Sequence, residues 1–231
     1  MFITKMLAKR VSNYNDPQSL GSRLRTKRIR PLLEMIEETF KEQGFVNIVD
    51  VGGTELYWRL IVPKQYLDSH NVAVTIVNLP GTITPGARDI FRFVEADGCD
   101  LACFKDKQFH IAHSNSVLEH VGDWERMVRF ANEIQRVGQK YFVQTPNYWF
   151  PIEPHCMMPF FHWLPRPIRV WLVLNFELGH WKRAISVDEA VRIVESARLL
   201  DKRMFQELFK DATIFTERLF LLPKSFVAIK R

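Results

Sequence analysis

Several residues of this chain could do chemistry, and most of them close an apolar run. The clearest is Asp50-Val51-Gly52-Gly53-Thr54, where a strand-like segment ends in an acid and breaks at two glycines. Glycine permits the sharp turn and lets a ligand approach the main chain without a Cβ in the way. Thr54 is a good N-cap, so the helix that follows starts with unpaired N–H groups. This combination builds a nucleotide-type site at the carboxyl end of a first strand. Asn78, Asp97-Gly98 and Ser114-Asn115-Ser116 close later apolar runs in the same way. Farther on, Glu153 precedes His155 by two residues, which supplies a candidate base with an orienting carboxylate. His120, beside Glu119, is the second candidate base, although packing near a helix entry is its simpler role. His110 and His113 sit three apart on a strand and therefore on opposite faces, so they make no metal pair, and no metal site is expected.

The elements that must position these residues alternate. A helical stripe starts at Ser19 and runs through Leu24, Ile29, Leu32, Leu33, Met35, Ile36 and Phe40, with Pro31 as a dividing point and Gly44 as its stop. A strand over 46–51 follows, then a helix from Thr54 that Pro63 ends. The run 72–79 is almost continuously β-branched, as in a strand buried on both faces, and the loop 80–86 closes it. Short strands are expected at 91–95 and 109–114. A helix capped by Asp123 comes next, with Gly138 as its C-terminal punctuation, and then a strand over 140–144. Such alternation argues for a parallel, doubly wound sheet. Residues 148–182 break the rhythm with Pro, Trp, Phe and His, as an insertion over one end of the sheet would. Ser186 and Glu189 form a capping box. A helix near 204–209 then leads to a strand over 212–222, a turn at Pro223-Lys224 and a final antiparallel strand over 225–230.

At 231 residues and 47% hydrophobic, the chain suffices for one substantial core. Three cysteines without CxxC spacing point away from disulfides and zinc knuckles and toward a reducing compartment. With no membrane-spanning apolar run and no signal-peptide pattern, the expected location is the cytoplasm. Of the 32 basic residues, 8 lie in residues 1–30, leaving 24; of the 26 acidic ones only Asp16 lies there, leaving 25. The net charge of +6 therefore belongs to the N-terminal arm, and a solvated leader helix is its plainest reading. Contact with an anionic membrane surface, nucleic acid or a phosphate-bearing substrate is the alternative.

The strings IVDVGG (48–53), VEADG (94–98), FHIAHSNSVLEHV (109–121), EIQRVG (133–138) and FVQTPN (142–147), with the terminal hairpin, resemble the class I S-adenosylmethionine-dependent methyltransferases, specifically the type 11 small-molecule group. The resemblance implies a Rossmann-like, three-layer α/β/α fold, with a mostly parallel sheet, an antiparallel C-terminal strand and an inserted helical lid. One domain over 1–231 is expected: a basic helical region (1–44), a cofactor core (45–147), a lid (148–185) and C-terminal helices with a hairpin (186–231). The resemblance places Asp50, Gly52 and Gly53 at the methionine end of S-adenosylmethionine. Asn78 would meet the ribose, Asp97 with Gly98 the adenine, and Ser114 or Asn115 the sulfonium side. Carboxylates and carbonyls suit the ammonium and sulfonium there. The sequence departs from the family's glycine pattern at Thr54 and Leu56, and from its ribose-binding acid at Asn78. The implied reaction is methyl transfer to a small or lipid-like acceptor, at oxygen, with His155 and Glu153 as the catalytic pair; a non-catalytic ligand-binding protein of the same fold is the alternative. Peripheral membrane contact through residues 1–30 or the lid is a further candidate interaction, whereas nucleic acid is not an expected partner.

Overall fold

The computed structural model describes residues 28–82 and 89–231. The expected helix start at Ser19, the basic arm before Arg28 and residues 83–86 of the 80–86 loop lie outside them. Seven strands form one sheet: β1 (Val46–Val51), β2 (Val72–Asn78), β3 (Phe91–Glu95), β4 (Phe109–Asn115), β5 (Gly138–Pro146), β6 (Thr213–Leu219) and β7 (Leu222–Lys230). Their order is β3-β2-β1-β4-β5-β7-β6. The first five run parallel, and β7 is antiparallel to both of its neighbours. The carboxyl ends of β1 to β4 therefore meet at one edge of the sheet.

Alternation along the strands divides the core in two. Ile48, Val74, Ile76, Ile111 and Phe142 point to one face, where α1 (Arg30–Gln43), α2 (Glu55–Ile61) and α3 (Lys64–Ser69) cover them with Leu32, Met35, Ile36, Trp58 and Leu67. Val49, Val51, Ala112, Tyr141 and Val143 point to the other, under α4 (Trp124–Val137) and α7 (Lys202–Leu208). In α4 the buried residues Met127, Phe130, Ala131, Ile134 and Val137 recur at three- and four-residue spacing, so one stripe faces the sheet. Burying each large side chain of that stripe contributes about 1.5–3 kcal/mol. A smaller cluster stands apart. Cys156, Phe161, Val173, Leu178 and Ala184 of the inserted segment pack with Ala190 and Val194 of α6 (Val187–Glu195), beside α5 (Arg166–Asn175). Among the described residues no helix is long and apolar enough to cross a membrane.

Most caps fall where the residue types put them. Thr54, Asp123, Ser186 and Asp201 each accept a hydrogen bond from the backbone of their helix's first turn. Gly44 ends α1 at φ 75°. Pro31 stands in the first turn of α1, where its missing N–H costs nothing, and the helix begins beside it; the helical stretch expected before it lies outside the described residues. Gly138 caps α4 as expected, its N–H donating to the Ile134 carbonyl, but in an extended conformation, at φ −95°, as the first residue of β5; a Cβ there would stand 2.6 Å from that of Ala112, so close packing between β4 and β5 also accounts for the glycine. One expectation gives way. The last turn is Phe220-Leu221, with Phe220 at φ 55°, and Pro223-Lys224 lie inside β7. Pro223 is tolerated because the ladder shifts register at Glu217/Arg218, near the strand's end.

Candidate functional site

Asp50, fully buried, is the hub of the strand-end edge. Trp58 Nε1 donates to its Oδ2 at 2.7 Å, and His113 Nδ1 donates to its Oδ1 at 2.7 Å. Asp50 and His113 are register partners on β1 and β4, and Trp58 lies one turn into α2. An ionised carboxylate only accepts, so the His113 hydrogen sits on Nδ1 and leaves Nε2 facing the Tyr57 hydroxyl at 3.4 Å. The rings of Tyr57, Trp58 and Phe142 surround that imidazole. The carboxylate expected to border a ligand thus also ties two strands and a helix together. Its partners were not legible from the sequence; only the even spacing that puts Asp50 and Ile48 on one face hinted at the direction of the side chain.

The turn above it is shaped by the same group. A Cβ on Gly53 would stand 1.7 Å from Asp50 Oδ2, and Gly52 takes φ 78° against Val117. Asn78 Nδ2 donates to the Gly53 carbonyl at 2.8 Å and so pins the turn. A cavity of about 290 Å³ opens here, lined by Asp50, Gly52–Thr54, Asn115 and Ser116 with Tyr57, His113, Leu56 and Leu60; among the described residues neither lysine nor arginine lines it.

The other expected residues divide. Asp97 accepts from Cys99 N at 2.9 Å and from Arg126 at 2.7 Å. Burial would raise its carboxyl, but the guanidinium and the amide outweigh it and hold the group below its ordinary range. Gly98 is wedged between Val51 and Phe130. The Ser114 hydroxyl is buried and donates to the Val51 carbonyl, so it braces β4 against β1. Asn115 lines the cavity, and its Oδ1 accepts from Arg28 at 2.8 Å. Arg28 in turn forks onto Glu217 of β6 at 3.0 and 3.3 Å, bringing the start of the described chain across the sheet edge.

A second polar group gathers beyond the ends of β4 and β5. Glu153, 4% exposed, accepts from His155 Nδ1 at 2.6 Å and from the backbone N–H groups of His155 and Cys156. Glu153 and His155 therefore stand as a pair. Burial would lower the imidazole, but Glu153 and Glu119 more than compensate and hold it above its ordinary range. His155 Nε2 lies 3.0 Å from His120 Nε2, and His120 Nδ1 donates to the Ser196 carbonyl at 2.7 Å. Glu119 is buried beside them and accepts from the Thr145 hydroxyl. Burial pushes its carboxyl up, against the pull of the two histidines.

A parallel sheet closed by an antiparallel last strand, with a glycine turn over its first strand end, defines a Rossmann-like fold of the methyltransferase type. Residues 67–141 match a family model described as a methyltransferase domain, in agreement with the class I S-adenosylmethionine-dependent methyltransferase resemblance of the sequence. Two uncharacterized proteins from Mycobacterium tuberculosis strains are each 39% identical over 56 residues, 24% of this chain and only 19% of theirs. A putative Zn-dependent alcohol dehydrogenase from Rhodobacter sphaeroides superposes with a TM-score of 0.53 at 11% identity, over 83% of this chain and 86% of that one, which is a likeness of fold. A SAM-dependent methyltransferase from Methanosarcina mazei reaches 0.48 at 15% identity, over 81% and 92% of the two chains.

The domain match implies S-adenosylmethionine as the cofactor. The donor set at the edge fits it. Among the described residues the cavity lining holds one carboxylate, the backbone of the glycine turn and the His113 imidazole, with neither lysine nor arginine, although Arg28 reaches Asn115 at its margin; the carboxylate suits an ammonium and a sulfonium.

Proposed function

We propose that the chain transfers a methyl group from S-adenosylmethionine to the oxygen of a small or lipid-like acceptor. The observation that carries the reading is the cavity over the glycine turn at the carboxyl edge of this sheet, lined by the Asp50 carboxylate and, among the described residues, by neither lysine nor arginine. When bound, the cofactor supplies a methyl group already activated on sulfur. The protein then has to hold the acceptor atom about 3–3.5 Å from it and exclude water. In this reading Gly52, Gly53 and Asn115 border the cofactor directly, and Asp50 acts from beneath through its charge. Asn78 and Asp97, on the next strand ends, would receive the nucleoside. His155, held by Glu153, would take the acceptor's proton. A cavity of about 360 Å³ between the inserted segment and α6 is the proposed acceptor pocket, lined among others by Phe161, Trp181, Ile193, Arg169 and Arg198. Such a lining suits an apolar body carrying an acidic group. Membrane contact through residues 1–30 or the inserted segment remains part of the proposal; co-sedimentation with anionic vesicles, with residues 1–27 removed or Trp171 replaced, tests it.

One observation favours the alternative, a ligand-binding protein of the same fold. Asp50 and Asn78 are both engaged within the protein, which leaves fewer free groups to grip the cofactor. Calorimetry with S-adenosylhomocysteine tests the cofactor site: tight binding favours the enzyme, and a folded chain that does not bind it removes the methyl-transfer reading and leaves a binder of another ligand. Methyl transfer in an acceptor screen then separates the enzyme from the binder.

A further inference from the structure

We infer that Glu119, His120 and His155 form a three-ligand site for a divalent transition-metal ion of the zinc class, with Glu153 and the Ser196 carbonyl orienting the two imidazoles. The argument starts from hydrogen positions. The Ser196 carbonyl can only accept, so His120 carries its hydrogen on Nδ1; the Glu153 carboxylate places the His155 hydrogen on Nδ1 likewise. Both Nε2 atoms then bear lone pairs, and they face one another at 3.0 Å. Two lone pairs at that distance repel unless a cation joins them. An extra proton on one ring would satisfy the pair of nitrogens alone.

The third group decides between proton and metal. Glu119 is 1% exposed, and its Oε1 is buried without a hydrogen-bond partner. One ligand atom from each of Glu119, His120 and His155 lies within 4.8 Å of the other two. An orphaned buried carboxylate oxygen costs several kcal/mol unless something positive meets it. A metal ion answers all three at once. In a tetrahedral zinc site with Zn–N near 2.0–2.1 Å the two nitrogens stand about 3.3 Å apart, so the rings need to part by only a few tenths of an ångström.

The surroundings have the form of a metal site as well. Each histidine donates its other ring hydrogen to a carbonyl or carboxylate, which fixes its tautomer and raises its basicity as a ligand. Glu119 is held by Thr145, at the end of β5. Four segments therefore set the geometry: the turn Leu118–His120 after β4, the end of β5, the loop carrying Glu153 and His155, and the end of α6. Two imidazoles and one carboxylate select zinc, cobalt, manganese or iron over calcium and magnesium, which prefer all-oxygen sets. Three protein ligands leave a position open to water or to an acceptor oxygen. That last use rests on the proposed methyl transfer; with the ion bound, His155 would serve as a ligand in place of the base role given to it above, and the ion would acidify the acceptor hydroxyl so that its proton is released to water.

The full chain, stripped with a chelator and titrated with Co²⁺, tests the site. The expected result is one Co²⁺ per chain with visible d–d bands, no thiolate charge-transfer band and displacement by Zn²⁺. His120→Ala and His155→Ala should weaken binding by roughly 100-fold or more, and Glu153→Gln by about 10–100-fold. A wild-type chain that takes up no stoichiometric Co²⁺ or Zn²⁺ overturns the inference, and so does unchanged affinity in the His120→Ala, His155→Ala double variant. The wild-type titration decides by itself if a variant fails to fold. S-Adenosylhomocysteine affinity on the same samples separates the two proposals: metal uptake without nucleoside binding removes the methyl-transfer reading alone, and the converse removes the metal site alone.

Discussion

Replacing Asp50 distinguishes a ligand from a structural hub. In Asp50→Ala the Trp58 Nε1–H and the His113 Nδ1–H both lose their acceptor in a fully buried place. Each unpaired donor costs about 1–3 kcal/mol, so the expected loss is about 2–6 kcal/mol before any cavity forms. For a domain of this size 1 kcal/mol moves the melting temperature by about 2–4 °C, which gives a fall of roughly 5–20 °C. Asp50→Asn should behave differently. Its oxygen can still accept from Trp58, and its amide can donate to His113 Nδ1 if that ring moves its hydrogen to Nε2, toward the Tyr57 hydroxyl. The expected cost is then about 1 kcal/mol. Thermal and urea unfolding of the three proteins, beside calorimetry with S-adenosylhomocysteine, make the comparison. If Asp50→Ala melts within about 2 °C of wild type while nucleoside affinity falls tenfold, the carboxylate is a ligand and the hub argument is wrong.

Gly53→Ala must push the Asp50 carboxylate off its two donors, since the new methyl would start 1.7 Å from Oδ2; a loss of about 1–3 kcal/mol in urea unfolding is expected, and wild-type stability would refute it. Asn78→Asp restores the acid usual at this position in the resembled family but cannot donate to the Gly53 carbonyl. It should therefore lower stability by about 1–3 kcal/mol, and an unchanged urea midpoint would show that the Asn78 pin contributes nothing. Glu217 sits among Arg28, Lys224 and Ser225; burial would raise its carboxyl, but the two cations hold it below its ordinary range. A depressed folded value means stability that is present above the unfolded value, about 4.3, and is lost as pH falls through the folded one. Glu217→Gln should thus be less stable than wild type at pH 7, with the gap in urea midpoint closing in acid; a gap that persists at low pH contradicts the pairing.

Strand ends were legible because a doubly wound sheet writes them as apolar runs closed by an acid, an amide or glycine. Asp50, Asn78, Asp97 and Ser114 do fall at neighbouring ends of β1 to β4, as that pattern requires. What each side chain does there was not legible. Period-two alternation places Asp50 on the face of Ile48, but only the packing of α2 brings Trp58 over it. Gly138 and Gly53 looked like conformational devices and prove to be matters of space, set by Ala112 and by Asp50 itself. The hairpin at Phe220-Leu221 lacked any Asn-Gly or Gly signal, so the proline beyond it drew the turn too far along the chain.

Glu119 and His120 show the same limit from the other side. They are adjacent in sequence on a short turn, where His120 reads as a second candidate base or a packing residue at a helix entry, and His155 lies 35 positions beyond it in a segment with no regular pattern. Only the closure of β4 against β5 brings the three together, with Thr145 and Ser196 fixing two of them from separate elements. A ligand set distributed over an edge in this way carries no spacing signature, unlike CxxC or HExxH. Its evidence has to be read from unmet valence: two lone pairs facing each other and a buried carboxylate oxygen with nothing to accept from. Asp50 gives the contrast. It is equally buried, but both its oxygens are answered by the protein, so it needs no ion and acts on a ligand through its charge and through the turn it supports. On this edge the fully engaged carboxylate belongs to the fold, and the half-engaged one marks where chemistry remains to be supplied.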